Sequence, residues 1–347
     1  MIINNNLIKY TMGINCALCA EGRVLKADFQ GDPIIKTGSL SKIIKIQSHI
    51  RKYLLIKSLQ KQNPQNLKLK KKKSNKQSYQ IIEKTSINQK QLEQLFLTYP
   101  PLNDNIKLQF ISISYPNIAE YSGEWNPILK EKHGRGIQLW FDKKIYIGQW
   151  KNNKMNGKGK LIEPSGDLYE GEFLNDKIEG YGSYYNKKGT SYIGTWKNNL
   201  QDGKGKEIWF DKTEYEGEFK EGKKWGKGKL ILNEGSFYDG DFYDNQIHGK
   251  GKFLWSDGKE YNGEFKNNKM DGEGEFKWED GKIYKGHYFR DEKNGYGEFF
   301  WPNGKVYKGY WKNGKQNGDG ELFEPDNKIW KKGFWCNGKR VKWDIIK

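Results

Sequence analysis

From residue 119 onward the chain runs in short stretches that alternate an apolar or glycine position with a polar one, and Tyr261-Asn262-Gly263-Glu264-Phe265 is representative. A period of two puts Tyr261, Gly263 and Phe265 on one face of a β-strand and Asn262 and Glu264 on the other, so one face is aromatic and the other polar. The stretch then repeats. Tyr146, Tyr169, Tyr192, Tyr215, Tyr238, Tyr261, Tyr284 and Tyr307 stand 23 residues apart, and each opens Tyr-x-Gly-x-aromatic. Tyr146, Gly148 and Trp150 form one such signature, Tyr192, Gly194 and Trp196 another, and Tyr307, Gly309 and Trp311 a third. A ninth copy, Tyr121-Ser122-Gly123-Glu124-Trp125, lies 25 residues upstream, and a degraded tenth, Trp330-Lys331-Lys332-Gly333-Phe334-Trp335, carries one extra residue. A fixed period of this length marks a repeat architecture, and the signature residues are expected to be structural.

Eleven residues after each in-phase tyrosine comes a Gly-x-Gly pair, for example Gly157 with Gly159 and Gly249 with Gly251, which opens a second strand. Glycine inside a strand leaves room for a neighbouring group to approach the backbone, here an aromatic ring. Asn152-Asn153, Asn267-Asn268 and Asn313-Gly314 punctuate one end of the strand pairs, and Asp257-Gly258, Asp280-Gly281 and Asn303-Gly304 the other. These pairs supply the positive φ that tight hairpin turns require. The expected fold is an all-β repeat array: an elongated, twisted antiparallel β-meander of about nine 23-residue β-hairpins. At the usual strand spacing it would span about 85 Å. A single hairpin cannot bury its aromatic face, so stability has to come from stacking on neighbours, with the irregular first and last copies as caps.

Composition changes this picture mainly at the N-terminus. The whole chain of 347 residues carries a net charge of +18, of which residues 1–118 hold +13 (19 Lys/Arg against 6 Asp/Glu), so the repeats are densely charged but nearly balanced. Cys16, Cys19 and Cys336 are too few for a disulfide framework. No apolar run is long enough for a signal peptide or a membrane span, and an intracellular protein is expected. The lone Cys16-x-x-Cys19 lacks the second pair that a zinc site needs, and no metal or cofactor is expected. Gly157-Lys158-Gly159-Lys160 has the look of a phosphate loop, but such a loop leads into a helix and here a strand follows. The lysines after the glycines (Lys158, Lys160, Lys204, Lys206, Lys227, Lys229, Lys250, Lys252) could form a ladder for anionic lipid, or an ordinary solvated face balanced by Glu172, Glu218 and Glu264.

Tyr-x-Gly-x-Trp followed by Gly-x-Gly at a 23-residue period resembles the MORN (membrane occupation and recognition nexus) repeat over about residues 119–340. Arrays of that kind occur in junctophilins, radial-spoke head proteins, apicomplexan division scaffolds, plant phosphatidylinositol phosphate kinases and some lysine methyltransferases. The resemblance implies a scaffold or tether with roles in membrane apposition, phosphoinositide contact or cytoskeletal assembly, and implies no activity.

The N-terminal third divides into residues 1–40, a basic amphipathic segment and polybasic run at 41–78, and a linker with a short helix at 79–118, before the array at 119–347. This third is expected to be mostly helical or disordered. Ile43, Ile46, Ile50, Tyr53 and Leu54 recur at helical spacing among basic residues. Within that segment Ile46, Gln47, Ile50, Arg51, Lys52 and Lys57 resemble the IQ motif, which implies a calmodulin-like EF-hand partner; Lys52 stands where the motif has glycine, and Lys57 falls one position late. Apolar anchors entering a groove while the cations meet an acidic partner would serve that role. Lys70, Lys71, Lys72 and Lys73 form a polybasic run suited to an anionic membrane, to a nuclear import signal or to a solvated linker; without a reading motif, nucleic acid is not expected. If Met12 initiates translation, Gly13 becomes an N-myristoylation site with Cys16 and Cys19 beside it for palmitoylation.

Only four histidines occur (His49, His133, His248, His287), none at metal-ligand spacing to another, and no nucleophile–base or paired-carboxylate constellation stands out. No enzymatic activity is expected. The composite expectation is a cytoplasmic scaffold associated with membrane, cytoskeleton or cilium, docking on lipid or protein; the alternative is a ciliary structural protein resembling radial-spoke head components that binds protein only. An uncovered aromatic strip would also invite homodimerisation.

Overall fold

The computed structural model describes residues 97–102 and 104–343. The IQ-like segment, the polybasic run and Gly13, Cys16 and Cys19 lie outside the described residues. Among the described residues there are 21 β-strands, grouped in two compact units that divide between Gly180 and Tyr181.

In the first unit the strands Gln109–Tyr115, Ala119–Asn126, Glu131–Trp140, Ile145–Lys151, Lys154–Ile162 and Leu168–Leu174 each pair antiparallel with the next. Gln109–Tyr115 lies ahead of the first repeat copy, in the stretch read from sequence as linker. In the second unit the same next-neighbour pairing runs from Ser191–Lys197 to Lys339–Trp343. The strand Lys177–Tyr185 runs through the division.

Register explains the signature residue by residue. The glycine of an in-phase Tyr-x-Gly faces the second glycine of Gly-x-Gly on the neighbouring strands, whereas Gly123 of the first copy faces Gly136 on one side and Ile111 on the other. In the first unit Gly148 lies between Gly136 and Gly159. In the second an unbroken cross-strand row runs from Gly194 through Gly205, Gly217, Gly228, Gly240, Gly251 and Gly263, and onward past Gly309 to Gly333. The tyrosine rings lie on this row. A Cβ on Gly228 would sit 2.5 Å from the Tyr215 hydroxyl oxygen and 2.6 Å from its Cε2, so only glycine fits. The signature glycines are held by the same ring and by the facing backbone together. A Cβ on Gly148 would lie 2.5 Å from Gly159 Cα and 2.6 Å from the Tyr146 hydroxyl oxygen. At Gly194 both Gly205 Cα and the Tyr192 hydroxyl would be 2.5 Å away, and at Gly309 the Tyr307 hydroxyl would be 2.6 Å and Gly320 Cα 2.7 Å away. The first glycine of each Gly-x-Gly pair has a different reason: it sits in a β-bulge at positive φ, as at Gly226 (φ 62°) and Gly249 (φ 65°).

In several repeats that bulge leaves the residue three after the tyrosine out of the ladder on one side, between Gly263 and Phe265 for example, whereas Glu218 stays paired with Trp225. The tyrosine hydroxyl donates to the carbonyl three residues on: Tyr146 to Gln149 at 2.8 Å, Tyr215 to Glu218 at 2.9 Å, Tyr238 to Asp241 at 3.0 Å and Tyr307 to Tyr310 at 3.2 Å.

The aromatic that closes each signature is buried with its tyrosine. Trp150 meets Tyr146 edge-on with 5.0 Å between centroids and Tyr121 of the preceding copy at 5.7 Å. Trp196 meets Tyr192 at 5.0 Å, and Trp311 meets Tyr307 at 5.4 Å. Two of these indoles also find a carbonyl, since Trp196 Nε1 donates to Gly182 at 3.2 Å and Trp311 Nε1 to Gly297 at 3.0 Å. The pattern continues through the phenylalanine copies. Tyr238 packs against Phe242 (5.2 Å between centroids) of its own repeat and Phe265 (5.2 Å) of the next, Tyr261 against Phe265 (5.0 Å) and Tyr288 (5.3 Å), Tyr284 against Tyr288 (5.2 Å) and Trp311 (5.3 Å). Burial raises the hydroxyl pKa at Tyr215, Tyr238 and Tyr261. The aromatic face is therefore closed by its own side chains, with the in-phase tyrosines from Tyr192 to Tyr307 fully buried. These tyrosines leave no uncovered strip of their own, while Trp255, Trp278 and Trp301 on the same face stay partly exposed.

The turns add a second ladder. Asn152-Asn153, Asp244-Asn245 and Asn267-Asn268 all hold positive φ. The second residue of each turn bonds back to the preceding repeat: Asn245 accepts from Lys224 N (2.8 Å) and Asn268 from Ile247 N (2.8 Å), while each turn amide donates to the same residue's carbonyl at 3.1 and 2.9 Å.

Candidate docking surface

With the signature tyrosines packed on the aromatic face, most of the charged groups of the array stand on the polar one. The sequence-predicted signature residues, Gly148, Trp150, Gly194, Trp196, Gly309 and Trp311 among them, stand in the packed layer and offer no binding group. In the second unit the charges of the polar face are arranged across strands. Lys206 meets Glu214 at 2.7 Å, Lys227 meets Asp241 at 2.6 Å and Lys252 meets Glu260 at 2.9 Å. From the next repeat the polarity reverses: the Gly-x-Gly strand carries the acids and its neighbour the lysines, in Glu275–Lys285 (2.7 Å), Glu298–Lys308 (3.0 Å) and Glu321–Lys332 (3.1 Å). In the first unit Lys160 meets Glu170 at 2.8 Å. Most of the lysines of the expected lipid ladder thus have carboxylate neighbours. Exposed pairs of this kind contribute little stability, but they neutralise the face.

The other recurrent feature is a capping contact beneath each bulge. The side chain three after the tyrosine reaches over the positive-φ glycine to a backbone amide: Gln149 accepts from Lys158 N (2.6 Å), Asp241 from Lys250 N (3.0 Å) and Glu124 from Arg135 N (2.5 Å). At His287 and Tyr310 no carboxylate or amide oxygen is present, and the middle residue of the Gly-x-Gly pair is Tyr296, as it is Tyr181 in an earlier repeat, where four others have Lys158, Lys204, Lys227 and Lys250. Glu273, Lys285, Gly286, His287, Gly295, Tyr296 and Glu298 line an open groove of about 590 Å³ here. Tyr296 and Tyr310 stand at its side, 51% and 53% exposed, with ring centroids 5.8 Å apart and nearly perpendicular. Sequence reading singled out Tyr307, Gly309 and Trp311 as structure and passed over Tyr296 and Tyr310. Their departure from the lysine and acid of other repeats was the signal available.

In the first unit the polar face already holds an occupant. Residues 98–102 run without regular structure onto it; Tyr99 is 8% exposed against Ile137, Ile145 and Ile147, and Gln149 Nε2 donates to the Pro100 carbonyl at 2.6 Å. Asp104 then meets the buried His133 Nε2 at 2.5 Å.

Three lysines enter the aromatic face. Lys132, Lys224 and Lys293 occupy the repeat position held by Met155 and Met270. Lys224 and Glu207, both 3% exposed, lie 3.8 Å apart; burial lowers the lysine and pushes the glutamate up to about 7. Lys293 Nζ sits 4.6–5.3 Å from the ring centres of Trp311, Phe299, Trp278 and Tyr284, and burial pulls its pKa down to about 8. Cation–π attraction offsets part of that desolvation. The unfolded lysine, near 10.5, holds a proton that the folded one releases. Stability carried by this group is therefore full above pH ~10.5 and falls as pH drops towards 8, so Lys293→Met should raise stability at pH 7 by on the order of 1–2 kcal/mol and flatten the dependence between those limits. Urea unfolding at pH 7 and 10 measures it; a destabilised Met variant at pH 7 would contradict it.

Among the described residues no group of three His, Cys, Asp or Glu could hold a metal, and no helix is long and apolar enough to cross a membrane. These features define a repetitive β-meander with a packed aromatic face and a charged polar face. The MORN repeat model matches eight consecutive segments: 146–168, 169–191, 192–214, 215–237, 238–260, 261–283, 284–306 and 307–323. The chain belongs to the MORN-repeat family. No curated protein matches it. Solved structures similar to it include the TCP domain of SAS-4 (dCPAP) from Drosophila melanogaster, in complex with a proline-rich motif of Ana2, at 15% identity, covering 55% of this chain and 98% of that one with a TM-score of 0.26. The TCP10 domain of Danio rerio CPAP, an E1021V mutant, is similar at 11% identity, covering 67% and 98%, with a TM-score of 0.23.

Proposed function

We propose that this chain is a non-enzymatic scaffold whose MORN array docks a protein partner, while any contact with anionic membrane is made by its N-terminal third. The observation that carries this reading is the cross-strand pairing of Lys160, Lys206, Lys227 and Lys252 with carboxylates, which leaves the polar face without the uncompensated positive field that lipid headgroups require. Half-exposed Tyr296 and Tyr310, by contrast, are side chains of the kind that anchor protein interfaces. The IQ-like residues Ile46 to Lys57 would add an EF-hand partner. Lys70 to Lys73, with acylation at Gly13, Cys16 and Cys19, would add an anchor.

Flotation of the full chain with vesicles containing phosphatidylinositol 4,5-bisphosphate tests the division. Replacing Lys70 to Lys73 by glutamine should abolish binding at physiological salt. Replacing Lys204, Lys227 and Lys250 should leave it unchanged within about twofold. Loss of binding in the second set alone would overturn the proposal in favour of lipid docking on the array.

A further inference from the structure

The Tyr296 groove stands six 23-residue periods beyond the seat of the Tyr99-Pro100 segment. Lys285 corresponds to Ile147, His287 to Gln149, Tyr296 to Lys158, Glu298 to Lys160, and Glu273 to Arg135. The seat in the first unit shows what this repeat phase accepts: an irregular Tyr-Pro-Pro segment whose carbonyl is held by the side chain at the Gln149 position. In the second unit the same phase is open, and His287 offers a ring N–H where Gln149 offers its amide. Its chemistry differs in two respects. The apolar Ile137 and Ile147 are replaced by the Glu275–Lys285 pair, and Glu273, exposed on the rim, has no ion pair of its own among the described residues. The aromatic wall has shifted from the ligand to the groove, where Tyr296 lines the opening and Tyr310 packs edge-on beside it, both about half exposed.

On the reading that the array docks protein, we infer that this groove is the docking site and that its ligand is an extended, proline-containing segment of a partner protein flanked by lysine or arginine. Prolines stack on the two tyrosines, a backbone carbonyl accepts from His287, and the flanking cation meets Glu273. Polyproline-type segments lose little entropy on docking, which suits a shallow groove.

The test is fluorescence anisotropy of the full chain with a labelled synthetic peptide KTYPPLKK, with KTYAALKK and ETYPPLEE as controls. Saturable binding of the first is expected, weakened about tenfold by Tyr296→Ala with Tyr310→Ala and by either control sequence, and about threefold by Glu273→Lys. Both tyrosines are more than half exposed, so the fold should persist; Glu273→Lys gives an independent reading if it does not. Absence of saturable binding, or binding indifferent to all three substitutions, overturns the site. Concentration-dependent dimerisation lost in the double tyrosine variant would assign the groove to a second copy and also overturn it. A chain that passes the vesicle test but binds no peptide here loses only this groove, whereas one that floats through its array lysines loses the scaffold reading itself.

Discussion

Gly228→Ala should destabilise the array by about 3 kcal/mol or more and broaden its unfolding transition, although it adds a single methyl group. The new Cβ would lie 2.5 Å from the Tyr215 hydroxyl oxygen, 2.6 Å from Cε2 and 2.7 Å from Cζ. That ring cannot withdraw, because Phe219 and Phe242 press on it edge-on at 5.1 and 5.0 Å. Nor can the strand shift freely, since Gly228 is paired with Gly217 on one side, whose own Cβ position lies 2.6 Å from Gly228 Cα, and with Gly240 on the other. Gly235→Ala provides the contrast: it lies in a turn at φ 97° with nothing near its Cβ position, and its cost is confined to backbone strain of about 1 kcal/mol. Urea unfolding of the two variants separates steric from conformational loss. Equal costs would mean that the glycine row serves turn geometry and not the tyrosines.

The contrast also shows what sequence could and could not supply. The period, the strand pair and the aromatic face were legible because they depend on residue type at fixed spacing, which a one-dimensional pattern records. Room at Gly251 and Gly228 for an aromatic could be anticipated from strand glycines alone. That Gly148, Gly194 and Gly309 are pinned by a facing glycine as well as by their own tyrosine could not, because the facing residue is set by register. The bond from Tyr238 to the Asp241 carbonyl was hidden too, since it depends on a bulge whose register appears only when strands pair. The Asn245 and Asn268 turn ladder escaped for a similar reason: asparagine there is already explained by positive φ, so its second role left no separate trace. The lysine ladder was legible as residues but not as charge, since neutralisation of Lys252 depends on Glu260 of the adjacent strand. The Tyr99-Pro100 contact joins residues 49 apart through a side chain and a carbonyl, and nothing in the local sequence announces it.

Tyr261→Ala should have an effect of similar size to the glycine substitution, by the opposite route. Removing a fully buried tyrosine leaves a cavity in the layer of side chains packed on the aromatic face of the second unit, at a cost of about 3–5 kcal/mol. Phe265 and Tyr288 each lose an edge-on partner, one within the repeat and one across its boundary, so the loss falls on the interface between repeats. In a quasi-linear array such interface terms hold the units in register, and the variant should therefore unfold in two steps. Tyr261→Phe isolates the hydroxyl. It keeps the ring contacts but leaves the Glu264 carbonyl without the donor now at 3.0 Å, a cost of about 1–2 kcal/mol. Denaturation followed by tryptophan fluorescence and by circular dichroism distinguishes the cases: superimposable transitions are expected for the phenylalanine variant and separated ones for alanine. A phenylalanine variant as damaged as alanine would place the stabilising role in the hydroxyl bond and not in ring packing, which would reverse the account of how one repeat holds the next.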